Sequence, residues 1–275
     1  MEMVGNARVV IEDGKVVEVS YPEISWCPLF EKARGMKEIT PEKIKENMEF
    51  RMKTFGLFTP DRLLDDFEDF VSFGASETMM SGLQHSIIDA SVSVCDGAGT
   101  VITDNPSLVQ GMGARMSGLV ETSPIPETIQ KIKDRRGIIL DEKTAVIDPL
   151  AGAKKAAELG FKQIAVTVAD AEIAEKIRKL EKEMNVRFII IAVHTTGLNR
   201  KKSKLMAGNA DIITLCASRV LREIKPLLQV GTAVPLIALT QEGRELLLER
   251  AKYISSSILV NTMPLPYLPA QKQPR

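Results

Sequence analysis

The alternation of apolar and polar positions changes character along this chain. The segment RVVIEDGKVVEVS holds two short valine- and isoleucine-rich runs around Asp13-Gly14. That pair favours the positive φ angles of a tight turn, which predicts a β-hairpin over about Arg8 to Ser20. The following YPEISWCPLFEKARG carries Pro22, Pro28 and Gly35 and reads as irregular, with Trp26 beside Cys27. Thr40-Pro41 and Thr59-Pro60 each place a capping hydroxyl ahead of a proline at a first helical position. They predict one helix carrying Ile44, Met48 and Met52, and another carrying Leu63, Leu64 and Phe67. A third, over roughly Ala75 to Asp89, leads into the strand of DASVSVCD.

Beyond Leu150 the pattern becomes a regular exchange of helix and strand. The runs QIAVTV, RFIIIAV, DIITLC and VPLIAL begin near residues 163, 187, 211 and 234. Amphipathic stretches separate them, among them AEIAEKIRKLEKEM and a shorter one after Asn199; QEGRELLLERAKYI, with Thr240 as its cap, follows the last. Continuous apolar strands are expected where helices cover both faces of a parallel sheet. A leucine-rich solenoid has a similar period, but its leucine–asparagine signature is absent. The expectation is therefore an α/β fold: an open, mostly parallel, Rossmann-like sheet with helices on both faces, Ala90–Cys95 being a fifth parallel strand. A β-hairpin and helical region at 1–89 precedes the sheet at 90–260. A proline-rich tail, 261–275, follows, and the whole can form one continuous domain.

Composition narrows the class without naming a reaction. In 275 residues, 44% are hydrophobic and 26% charged, which excludes wholesale disorder. Thirty-six basic residues balance 36 acidic ones, so a general nucleic-acid or anionic-membrane binder is not expected. No apolar run reaches the roughly 18–20 residues of a membrane helix, and MEMVGNARVV lacks the parts of a secretory signal. A cytoplasmic location is expected. Three cysteines with no close pair argue against a disulfide framework.

Candidate chemistry gathers at predicted strand ends, where ligands of open parallel sheets bind. Cys95 and Asp96 end one strand, His194 another and Cys216 a third. Cys27, Cys95 and Cys216 as thiolates, with His194 as a fourth group, have the donor types for an iron–sulfur cluster or a zinc ion. Their wide spacing equally suits small buried packing residues. His194 is also the candidate proton-transfer residue. In CDGAGTV, Asp96, Gly97 and Gly99 form a turn whose N–H groups can face an anion, and Arg115 follows in QGMGARMSG. In HTTGLNRKKSK, Arg200 and Lys201 fall in the first turn of a helix, opposing its dipole in a way a bound anion would relieve. An anionic small molecule is thus a candidate ligand. Glycines serving only turns and packing, and a solvated basic face, are the plainer alternatives. No Ser-His-Asp order, His-Glu-x-x-His or Gly-Lys-Ser/Thr loop is present.

The segments RVVIEDGKVVEV, CPLFEKARG, FGLFTPDR, FVSFGASE, VCDGAGTVI, QGMGARMSGLVETSPIP, IAVTVADAE, AVHTTGL and ADIITLCASR resemble the methanogenesis marker protein 8 family. The resemblance covers nearly the whole chain and is weakest over the proline-rich tail. It implies a cytoplasmic protein of methanogenic archaea with no established activity to carry over, and a protein partner in methane metabolism. It also makes metal and sulfur chemistry at the cysteines a natural expectation. Three functions come into view: a metal- or iron–sulfur-dependent redox, sulfur-transfer or cofactor-maturation enzyme; a metal-free small-molecule-binding or assembly factor; and, with the dinucleotide fingerprint missing, a nucleotide-dependent enzyme in last place.

Overall fold

The computed structural model describes residues 2–65, 68–231, 234–258 and 260. It opens with three short strands, β1 (Glu2–Val4), β2 (Ala7–Glu12) and β3 (Lys15–Val19), followed by α1 (Pro28–Arg34) and α2 (Pro41–Phe55). Next come α3 (Ala75–Gln84), β4 (Ala90–Cys95), β5 (Gly99–Thr103), α4 (Pro106–Gly113), β6 (Gly118–Leu119), α5 (Pro126–Asp134) and β7 (Ile138–Ile139). The second half holds α6 (Pro149–Glu158), β8 (Gln163–Val168), α7 (Ala171–Met184), β9 (Arg187–Ala192), α8 (Arg200–Asn209) and β10 (Ile212–Thr214). A short 3-10 turn (Val220–Glu223), β11 (Leu228–Val230), β12 (Leu236–Ala238) and α9 (Gln241–Ala251) complete it. The predicted proline-rich tail lies outside the described residues.

Two sheets result, ordered β3-β2-β1-β6 and β11-β12-β10-β9-β8-β4-β5-β7. The predicted hairpin is β2–β3, with Asp13 (φ 47) and Gly14 (φ 69) at its turn. A second hairpin, β1–β2, turns through Gly5 and Asn6, both also at positive φ. The far edge of this small sheet is β6, from residues 118–119, inside the region predicted to be the second unit. Helix α2 packs on this sheet through Ile44 and Met48, and Thr40 caps it by accepting from Lys43 N.

In the large sheet β4, β8, β9 and β10 are mutually parallel, and α6, α7 and α8 bury one face. Helices α3, α4 and α9 cover the other, through Met79, Val109, Leu246 and Leu247. Two outer features depart from expectation. The run VPLIAL, expected as a parallel strand, forms β12 and pairs antiparallel with both β10 and β11. The 3-10 turn after β10 is too short for a crossover helix, so the chain comes back through a hairpin instead. The turn at Asp96-Gly97-Ala98 likewise leads back into β5, antiparallel to β4.

Thr59-Pro60 does not begin a helix. The Thr59 hydroxyl donates to Gly56 O (2.8 Å) and accepts from Asp61 N (3.2 Å), so it is spent inside a turn. Phe67, predicted for that helix, lies outside the described residues. The turn brings Arg62 into the interior, where its Nε meets Asp96 Oδ1 at 2.9 Å, both side chains 1% exposed. Arg62 also donates to Leu63 O, Gly111 O and Met112 O, while Asp96 Oδ2 accepts from Phe58 N at 2.6 Å. One buried ion pair therefore joins the 56–64 loop, the end of β4 and the end of α4.

Removing one member of a buried pair leaves the other charge uncompensated. Asp96→Ala is expected to lower the unfolding free energy by about 3–5 kcal/mol in chemical denaturation. The double variant Asp96→Ala/Arg62→Met is expected to cost clearly less than the sum of its single changes.

Candidate functional site

The carboxyl ends of β4, β8, β9 and β10 open into a cavity of about 1620 Å³. Its floor lies on the face covered by α3, α4 and α9. Ser93 and Thr167 stand one residue beyond the paired Val92 and Val166, and Thr214 ends β10. Two hydroxyls on this floor donate to neighbouring backbone, Thr167 to Val92 O (3.4 Å) and Thr214 to Ala192 O (2.9 Å). Ser93 is 8% exposed, and its Oγ has no partner. The small sheet and α1 supply an opposing wall that includes Ile24, Cys27 and Phe30.

A further wall, residues 69–77, is organised by Glu77, which is 2% exposed. Its carboxylate accepts from Phe70 N, Val71 N, Ser76 Oγ and Gln110 Nε2, at 3.0–3.3 Å. Gly74 caps α3 without a side chain, and a Cβ there would collide with Glu77 Oε2. Among the described residues, the charged ones lining the cavity are Lys32, Asp69 and Glu77, and Asp69 is paired with Arg250.

His194 lies where the two sheets meet. It has a positive φ of 55°, and its ring lies against Gly118 of β6, where a Cβ would stand 3.3 Å from Cγ and Nδ1. The ring opens into the cavity, whose walls strip part of its hydration. That desolvation pushes the imidazole down from 6.5 to about 4, opposed by a hydrogen bond to the Ser117 backbone. His194 is thus neutral at physiological pH and accessible. Thr195 beside it is fully buried; its hydroxyl donates to Thr214 O (2.7 Å) and accepts from Cys216 N (3.2 Å). This hydroxyl ties the turn after β9 to the turn after β10.

Of the residues singled out in the sequence, Cys27, His194 and Cys216 line this cavity. The others are placed elsewhere. Cys95 is fully buried among Leu64, Leu108 and Met112, and burial together with the Asp96 carboxylate raises its thiol far above the ordinary value. Asp96 is committed to Arg62. In the β4–β5 turn, Gly97 N donates to Thr122 Oγ1 (2.8 Å) and Ala98 N to Cys95 O (3.2 Å), and Gly99 packs against the Ala145 carbonyl. Those two N–H groups are taken by the protein's own oxygens. Arg115 lies between the Phe55 and Phe70 rings, 4.9 Å from each. Arg200 pairs with Glu223 at 2.7 Å and Lys201 is exposed, both away from the cavity.

The three cysteines are therefore not one ligand set. Among the described residues no three His, Cys, Asp or Glu side chains are arranged to hold a metal ion. Cys27, Cys95 and Cys216 are not in disulfides. Iron–sulfur and zinc ligation by these cysteines does not fit this arrangement.

Comparison with known proteins decides the relationship but not the chemistry. Residues 1–252 match the family model described as an uncharacterized protein conserved in archaea (DUF2099). The chain belongs to this archaeal family. The uncharacterized protein MJ0054 of Methanocaldococcus jannaschii is 49% identical over 271 residues, spanning 98% of this chain and 95% of that one. The DUF2099 match takes in both sheets and all the strand ends that floor the cavity. Among the described residues, no helix of this family member is long and apolar enough to cross a membrane.

Sequence reasoning overlooked Ser93, Thr167, Thr195 and Thr214. The signal was available: in ASVSV, IAVTV and DIIT a hydroxyl residue occupies a late position of an otherwise apolar strand.

Because the chain has two histidines, the state of His194 can be read directly by NMR, with His85→Asn assigning the signal. Its imidazole should stay neutral until the pH approaches about 4. The unfolded chain binds this proton near 6.5, so the stability His194 contributes is complete above 6.5 and is lost as the pH falls towards 4. In native alkylation, half-buried Cys216 should react first, and Cys95 only on unfolding.

Proposed function

We propose that this chain is a metal-free binding protein for a small organic molecule, held in the cavity at the strand ends. The observation that carries this reading is the cavity itself. It lies at the carboxyl ends of parallel strands, is lined mainly by apolar side chains, and has a few convergent polar groups with a neutral imidazole among them. At about 1620 Å³ it exceeds the usual drug-sized pocket of about 300–1,000 Å³, so it accommodates a large ligand or two molecules side by side. The resemblance to the methanogenesis marker protein 8 family supports placing that ligand in methane metabolism. His194 would act as a hydrogen-bond or proton acceptor towards it.

Cys27 and Cys216 lining one cavity favour a second reading, thiol-based redox or sulfur-transfer chemistry on the bound molecule. Elemental analysis of protein purified without oxygen separates both readings from a metal enzyme. No stoichiometric iron, zinc or nickel is expected. A stoichiometric metal lost with Cys27→Ala or Cys216→Ala would replace the proposal.

The binding reading is tested with prodan, a neutral naphthyl ketone whose emission shifts to the blue in apolar surroundings. Wild-type protein should bind it saturably, and Thr167→Trp, which puts an indole on the floor, should weaken binding while circular dichroism stays native. Absence of saturable binding, or equal binding by a folded Thr167→Trp, would overturn the reading.

A further inference from the structure

We infer that the cavity takes an uncharged ligand whose carbonyl, ether or ring-nitrogen acceptor receives a hydrogen bond from Ser93. This specifies the ligand class and rests on the binding reading above.

Ser93 is the unusual member of the floor. Thr167 and Thr214 both spend their hydroxyl hydrogens on backbone carbonyls, whereas the Ser93 Oγ is buried with no partner at all. A buried hydroxyl without a partner destabilises the folded protein. Alanine at 93 would fill nearly the same space without that cost. A serine in a strand has more than one staggered rotamer, so rotation about χ1 can turn the hydroxyl towards a cavity occupant. The cost to the empty protein then becomes a contribution to binding.

The charges around the cavity point to the same class. Among the described residues Lys32 is the one lysine or arginine of the lining, on the α1 side, and the carboxylates there are Asp69, paired with Arg250, and Glu77. Arg115, Arg200 and Lys201 lie outside it. With Asp69 paired to Arg250 and Glu77 held by hydrogen bonds, the described lining gathers no cluster of cations for an anion, while a neutral molecule with an apolar body meets apolar walls and a hydroxyl hydrogen with no acceptor.

The experiment compares prodan with the similarly sized anionic anilinonaphthalene sulfonate on wild type, Ser93→Ala and the near-isosteric Ser93→Cys. Wild type should prefer prodan by at least about tenfold. Ser93→Ala should weaken prodan binding about three- to tenfold, the worth of one neutral hydrogen bond. The same change should raise the melting temperature of the empty protein. Ser93→Cys should weaken prodan in the same direction. Opposite signs in stability and affinity are what a merely structural serine would not produce. If Thr167→Trp weakens prodan but the Ser93 variants bind it as wild type does, the assignment of Ser93 is overturned and the binding reading stands. Preference for the anionic probe overturns the ligand class. If neither probe binds saturably, the binding reading itself falls.

Discussion

The pairing of Arg62 with Asp96 is the constraint on which the architecture turns. Both side chains are almost wholly removed from water, so each ion depends on the other and on the carbonyls and N–H group around them. A buried pair is weak evidence for stability but strong evidence for register, since few other arrangements of these segments would satisfy both charges. Here it fixes the 56–64 loop against the end of β4 and the end of α4. Gly111 belongs to the same arrangement: its missing side chain lets the Leu64 carbonyl approach α4. The preference for a turn over a helix at Thr59-Pro60 follows from this demand. A helix starting there would carry Arg62 on its exposed first turn, away from the carboxylate.

The cavity arises where two sheets approach without closing on each other. Glu77 shapes one wall and Thr195 ties two strand-end turns together, each by satisfying buried polar backbone that would otherwise need water. His194 stands at the junction, against a glycine of the small sheet and over the ends of the large one. Its positive φ is a conformation histidine tolerates better than most residues, and it turns the chain from the strand into the cavity rim.

Much of the fold was legible because apolar periodicity reports directly on burial. QIAVTV and RFIIIAV became neighbouring parallel strands, and Asp13-Gly14 became the turn of a hairpin. What misled was local chemistry with more than one use. The pair Thr59-Pro60 can cap a helix or close a turn, and the buried arginine that decides between them is 34 residues from its partner in sequence. VPLIAL is equally apolar as a parallel or an antiparallel strand, and its direction depends on how the chain returns. For the site, strand-end position was the useful guide for His194, Cys216 and the hydroxyl residues. It failed at Cys95 and Asp96 because β4 turns straight into a hairpin there, and the end of the strand is roofed by α4 and α5. Glycine and arginine carried the least information, since each serves packing and stacking as readily as an anion.

The pairing of β1 with β6 sets the order in which the molecule can be completed. Residues 2–19 supply three strands early in synthesis, but the outer edge of β1 stays unpaired until Gly118 and Leu119 arrive. During that interval the nascent chain presents an open edge of the kind that invites pairing between molecules. The intervening segment includes Arg62 and Asp96, so the ion pair and the last strand of the small sheet become available within one short stretch of translation. A fragment ending after α3 would keep the two hairpin turns and lose both the edge cover and the carboxylate that Arg62 requires. The small sheet is thus closed by a strand that arrives about a hundred residues after its first hairpin.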